Sequence, residues 1–179
     1  MIACLAFRLL QSAMGERNFL IEGISGSGKT SVATMLENRG FDVIHGDRLL
    51  AYQGDPQTGV PVMPRPQDPA FVNAHHIWDV DQLKRLIDDQ THPRTFFCGA
   101  SRNRHHFAQW FDAIFLLETD WATISRRLDG RPGEWGDDPR ERSLIQQLHI
   151  SRIDLPIGAI AIDATRPLHE VVDAILARC

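Results

Sequence analysis

The stretch Gly23-Ile24-Ser25-Gly26-Ser27-Gly28-Lys29-Thr30 fits the spacing G-x-x-x-x-G-K-[ST] of a phosphate-binding loop. Its flanks are those the spacing requires. Asn18-Phe19-Leu20-Ile21-Glu22 ahead of it is a short apolar run, read as a buried strand. Behind it, Val32, Ala33, Met35 and Leu36 give an apolar helical face, and Gly40 is a natural helix stop. The glycines permit a tight turn and close approach to a ligand. Successive N–H groups then point inward as an anion-binding nest, and the following helix adds the positive end of its dipole. In that cradle Gly23, Ser25, Gly26, Ser27 and Gly28 form the loop and Lys29 reaches the β- and γ-phosphates of a nucleotide. The Thr30 hydroxyl is placed to ligate Mg²⁺.

Working outward, Phe41 to Asp47 is a second strand ending in a polar turn. The segment from Gly54 to Asn73 holds Pro56, Pro61, Pro64, Pro66 and Pro69 and is expected to be irregular. A helix is predicted from about Asp79 to Asp89, with Asp79 capping it and Gln82 reaching back. Thr95 to Cys98 is a buried strand leading into Gly99-Ala100-Ser101-Arg102, and Ala113 to Leu117 is another. Thr119 or Asp120 caps the next helix, which carries Trp121, Ile124 and Leu128 on one face. An arginine-rich polar segment, Arg126 to Arg142, precedes a helix with Leu144, Ile145 and Leu148. Ala159 to Ile162 is the last strand, ending at Asp163, and a final helix begins near Pro167. Five apolar strands alternating with helices predict a three-layer α/β fold, a five-stranded parallel sheet with helices on both faces. Ligands then gather at the carboxyl ends of the strands.

Composition narrows the class. A chain of 179 residues is one domain by default, and 43% apolar with 23% charged residues is ordinary for a globular protein. The formal charge of −4 argues against a nucleic-acid partner. Cys4, Cys98 and Cys179 are scattered and suggest a reducing, cytoplasmic setting. No apolar run is long enough to span a bilayer, so no membrane partner is expected. Residues 1–17 are read as an N-terminal extension. Arg8 interrupts the apolar stretch that would otherwise suggest a leader, and Met14 offers an alternative start.

The chain resembles the small P-loop kinases of the adenylate kinase and shikimate kinase type, from about Asn18 onward. His45-Gly46-Asp47-Arg48-Leu49-Leu50 is similar to the T-G-D-x-L-R turn of adenylate kinases and the G-D turn of hydroxyl-phosphorylating kinases of the gluconate type. Gly99-Ala100-Ser101-Arg102 stands where adenylate kinases carry G-F-P-R, and Arg127-Leu128-Asp129-Gly130-Arg131 resembles their R-x-x-G-R lid hinge. Asp163-Ala164-Thr165-Arg166-Pro167-Leu168 resembles the strand and helix that flank the adenine, which implies that Thr165 binds the nucleotide. The proline-rich segment replaces the helical acceptor domain of monophosphate kinases, and the short lid lacks cysteines for zinc. These departures favour a small hydroxyl compound as acceptor.

The resemblance implies one kinase domain over residues 1–179, with an acceptor-binding region at about 48–90 and a lid at about 127–142. Asp47 is expected to face the γ-phosphate, accepting the acceptor's hydroxyl proton or holding a Mg²⁺-bound water. A turn-forming Asp beside Gly46 is the plainer alternative. Arg102 is expected to clamp an anionic group of the acceptor bidentately, with Arg65 or His76 beside it. Arg127 and Arg131 are expected to fold over the phosphates. The pairs His75-His76 and His105-His106 complete no metal-ligand spacing. The expected function is ATP-dependent phosphoryl transfer to a small molecule, in a monomer or homodimer. The rival is a P-loop ATPase or nucleotide switch acting on a partner.

Overall fold

A computed structural model describes residues 17–63 and 67–179, so residues 1–16 of the expected extension and Arg65 lie outside the described residues, and Arg17 belongs to the first strand instead. Strands β1 (Arg17–Glu22), β2 (Asp42–His45), β5 (Arg94–Cys98), β6 (Ala113–Glu118) and β7 (Ile160–Asp163) form the main sheet in the order β2-β5-β1-β6-β7. All four pairings are parallel, with Phe19 opposite Phe96 on one side of β1 and Ala113 on the other. The expected five-stranded parallel sheet is therefore present. β1 lies at its centre, and its carboxyl end carries the phosphate loop.

Alternation along the strands separates two apolar layers. Phe19 and Ile21 of β1 pack with Phe96, Phe115 and Leu117 under helix α1 (Lys29–Asn38), through Val32, Ala33 and Leu36. The final helix α7 (Leu168–Leu176) covers the same face through Val171, Val172 and Ile175. Leu20 points the other way, into a cluster with Phe97, Trp78, Leu83, Phe107 and Phe111. Burial of side chains this size stabilises by about 1.5–3 kcal/mol each.

The segment between β2 and β5 is more regular than its prolines suggest. Gly46–Leu49 forms one helical turn, α2, in place of the expected polar turn. Strands β3 (Ala51–Gln53) and β4 (His76–Trp78) pair antiparallel, and helix α3 (Pro69–Ala74) lies between them. The irregular reading of Gly54 to Asn73 is thus corrected at its end. Pro69 occupies the first turn, where its missing N–H costs nothing, and the Asp68 carboxylate accepts from Phe71 N at 2.9 Å.

Local capping explains the remaining helices. Asp79 Oδ1 accepts from Gln82 N at 2.8 Å and starts α4 (Val80–Asp88). Asp120 accepts from Thr123 N at 2.8 Å and starts α5 (Trp121–Asp129). Asp138 accepts from Arg140 N at 2.7 Å and starts α6 (Pro139–Ser151). Each such cap contributes about 1 kcal/mol. Ile124, Leu128 and Ile145 form a third apolar cluster, with Ile24 of the phosphate loop packed against it.

Candidate active site

The phosphate loop turns from β1 into α1 through Gly28, whose φ of 107° is open to glycine and costly for other residues. Gly28 is also the N-cap of α1, and it offers no side-chain oxygen to the first-turn N–H groups. α1 has no acidic residue in its first turn either. Among the described α-helices it is the one that lacks both. Its unsatisfied N–H groups and positive dipole end fit an anionic group supplied from outside the chain. Ser27 Oγ is buried without a hydrogen-bond partner in the same loop.

A cleft of about 780 Å³ lies over this loop. Of the residues expected at the site, Gly23, Ser25, Gly26, Gly28, Lys29, Thr30, Asp47, Arg102, Arg127 and Arg131 all line it. Lys29 Nζ donates to Gly23 O at 2.5 Å and Ile24 O at 3.2 Å. Burial pulls the Lys29 ammonium below its usual pKa, while the Asp47 and Glu22 carboxylates act to keep it charged. Thr30 is exposed to the cleft. Thr165 is absent from the cleft lining and donates to Asp163 Oδ1 through N, at 3.0 Å, and Oγ1, at 2.6 Å.

Asp47 is held in place from several sides. Its Oδ1 accepts from Ala100 N at 3.0 Å, His76 Nε2 at 3.3 Å and Trp78 Nε1 at 3.4 Å. Trp78 is fully buried and wedged against two glycines. A Cβ on Gly46 would stand 2.3 Å from its ring, and one on Gly99 would stand 2.5 Å from the ring and 2.6 Å from Asp47 Oδ1. Buried Ser101 and Asn103 fix the Trp78 backbone: Trp78 N donates to both, and Asn103 Nδ2 returns a bond to Trp78 O at 2.9 Å. Desolvation alone would raise the Asp47 pKa. The His76 hydrogen bond, the Lys29 charge and the Ala100 N–H outweigh it and hold the carboxyl below its usual range. With 41% of its side chain exposed, Asp47 faces the cleft as a carboxylate.

Arg102 lies where the sequence placed it, at the end of β5, but its guanidinium is already engaged. Nε and Nη2 donate to Asn73 O at 3.0 Å and Asn73 Oδ1 at 2.6 Å, and Nη1 pairs with Asp154 Oδ2 at 3.0 Å. It ties α3 to the loop after α6. Arg104, which sequence reasoning passed over, lies next to it. Arg104 Nη1 donates to Glu22 Oε1 at 2.9 Å and Oε2 at 2.7 Å, and Nη2 donates to Asp154 O at 2.9 Å. Glu22 is only 4% exposed. Burial pushes its carboxyl up to about 7, against the pull of Arg104, Lys29 and Arg102. One local signal existed for this residue: a charge closing an otherwise apolar strand must find a partner in the interior.

The arginine-rich segment divides. Arg127, on the last turn of α5, donates from Nη1 to Ser27 O at 2.8 Å and Gly26 O at 3.3 Å, and from Nη2 to Ala164 O at 2.8 Å. It splints the phosphate loop to the turn after β7. Arg131 pairs with Glu134, Arg140 with Asp138 and Arg142 with Asp129, all within the segment itself. Cys98 is buried, and desolvation pushes its thiol far up, as suits an inert core residue.

No family model and no curated protein matches the sequence. Among solved structures, a gluconokinase from Sinorhizobium meliloti 1021 aligns with a TM-score of 0.55 and 25% identity, covering 90% of this chain and 92% of that one. An unliganded sugar kinase from Janibacter sp. HTCC2649 aligns with a TM-score of 0.55 and 17% identity, covering 91% and 94%. A deoxyadenosine kinase from M. mycoides with bound dATP aligns over 90% and 98%, with a TM-score of 0.47 and 13% identity. The likeness to the first two shows that the chain shares their fold. Among the described residues no helix is long and apolar enough to cross a membrane. With a phosphate loop at the centre of a five-stranded parallel sheet, and the gluconokinase and sugar kinase aligned along nearly its whole length, the chain has the fold of the small P-loop kinases.

Proposed function

We propose that this chain is an ATP-dependent phosphotransferase that moves the γ-phosphoryl group of Mg-ATP to a hydroxyl of a small molecule. The observation that carries the reading is Asp47. It is held as a carboxylate by Ala100, His76 and Trp78, and it lines the same cleft as Lys29. The nest at Gly28 and the uncapped start of α1 fit the nucleotide's phosphates. Thr30, with Asp47 through a water, would hold Mg²⁺, which when bound neutralises charge on the phosphates. Lys29 neutralises further negative charge at the loop. Arg127 keeps the loop carbonyls turned away from the anion by occupying them. Asp47 orients the acceptor hydroxyl and takes up its proton.

In this reading residues of about 48–90 bind the acceptor and about 127–142 form the lid. Val72, Asn73, His76 and Arg102 line the acceptor side of the cleft. The gluconokinase likeness supports a sugar-sized hydroxyl compound as acceptor. The test is a transfer screen with γ-labelled ATP across sugars, polyols, aldonates, nucleosides and nucleoside monophosphates. Label should appear on one class, and Asp47→Asn should cut that transfer by about 10²–10⁴ while leaving ATP affinity unchanged. ATP hydrolysis with no labelled acceptor in any class would sink the kinase reading. Undiminished transfer in Asp47→Asn would remove Asp47 from the mechanism.

A further inference from the structure

We propose that the acceptor wall of this cleft is built for an uncharged, hydroxyl-rich acceptor, and that Asp154 is the residue that sets the preference. The proposal rests on the kinase reading above and narrows it. A chamber of about 40 Å³ adjoins the cleft and shares Ile24, Ala100, Arg102 and Leu148 with it. Glu22 and Asp154 are its further charged walls. That volume admits hydroxyl-sized groups.

The charges of this wall are matched inside the protein. Arg104 spends one nitrogen on both oxygens of Glu22. Arg102 meets Asp154 Oδ2 at 3.0 Å and gives two further donors to Asn73. Of the two, Arg102 lines the cleft, and its guanidinium is matched by the Asp154 carboxylate before any acceptor arrives. Both arginine side chains are mostly buried, whereas the Asp154 side chain is 38% exposed and solvent screens its charge in part. A carboxylate or phosphate on the acceptor would have to evict Asp154 from Arg102. Otherwise it would stand as an added negative charge beside Asp47 and Asp154. Arg48 also lines the cleft but is exposed, where solvent and salt weaken its pull. An uncharged acceptor meets no such opposition. Asp47 accepts from its hydroxyls, and Asn73 and His76 offer further polar groups on the same wall.

Asp154 thus acts as a resident anion on the arginine best placed to recognise an acidic acceptor. Asp154→Asn keeps the shape and a hydrogen bond but frees the Arg102 charge. The experiment compares matched pairs with labelled ATP: glucose with gluconate, and adenosine with AMP, alongside the full acceptor screen. The wild type should favour the neutral member in kcat/KM by about tenfold or more. Asp154→Asn should move that ratio at least about tenfold toward the charged member, through a lower KM for it. ATP binding by calorimetry verifies that the variant is folded, and Asp154→Ser serves as a second probe. Wild-type preference for the charged member, or a ratio that stays put in a folded variant, overturns the proposal and leaves the kinase reading standing. Absence of transfer to every acceptor, with ATP hydrolysis intact, overturns both.

Discussion

Glu22 offers a measurement that reports on the buried heart of the site without any substrate. Its carboxyl, ordinarily near 4.5, is raised to about 7 because burial outweighs the pull of Arg104, Lys29 and Arg102. Between those two values the folded chain holds a proton that the unfolded chain has released. Stability must then fall as pH rises from about 4.5 to about 7, and level off above. The separation corresponds to about 3 kcal/mol. For a chain of this length that amounts to roughly 6–12 °C in Tm, at about 2–4 °C per kcal/mol. Glu22→Gln removes the titration and keeps the shape. The assay is thermal unfolding of both proteins from pH 4.5 to 8, plotted as the wild-type Tm minus the variant Tm. Any constant offset reflects how the amide packs against Arg104; only the slope tests the argument. Asp47, Asp55, Asp120, Asp138 and Asp163 have depressed pKa values, so their contributions are lost only as pH falls below about 4 and leave this window clear. A difference that stays flat from pH 5 to 8, or rises with pH, would refute the reasoning. It would mean that the Glu22–Arg104 pair is favoured as a charged pair in spite of its burial.

Gly99→Ala places a methyl 2.5 Å from the Trp78 ring and 2.6 Å from Asp47 Oδ1. It should cost about 1–3 kcal/mol by chemical denaturation and displace Asp47, so phosphoryl transfer should drop further than stability does. Full transfer activity would show that Asp47 does not need its fixed position. Lys29→Met removes the one ammonium at the loop and should weaken ATP binding by about 10–100-fold in calorimetry. Because that ammonium is desolvated in the folded chain, Tm should not fall; a large loss of Tm would mean that Lys29 serves the fold instead of the ligand.

The parts of the molecule legible in the sequence are those whose causes are local. The phosphate loop announced itself through spacing, and the strand before it and the helix after it through period. Asp79 and Asp120 cap the helices expected of them, because a cap is made with a backbone N–H three residues on. Pro69 misled, since a proline reads as a breaker until a capping Asp68 ahead of it makes it a first-turn residue. The pairing of β3 with β4 was missed for another reason. Its strands are three residues long and lie apart in sequence, too short for any periodicity to register.

Taken alone, the amino-acid order determined the fold class, the phosphate loop and the position of Asp47 at the end of β2. Each follows from residues that interact within a few positions of one another. Tertiary structure alone decided what the arginines do. Arg102 meets Asn73 and Asp154, Arg104 meets Glu22 across 82 positions, and Arg127 meets the loop carbonyls across 100. A charged side chain's partner is set by which strand ends converge in space, and burial there decides whether the charge is free to meet a ligand or already spent on the protein. Sequence could name the cations around this cleft, and only the folded chain showed which of them are neutralised.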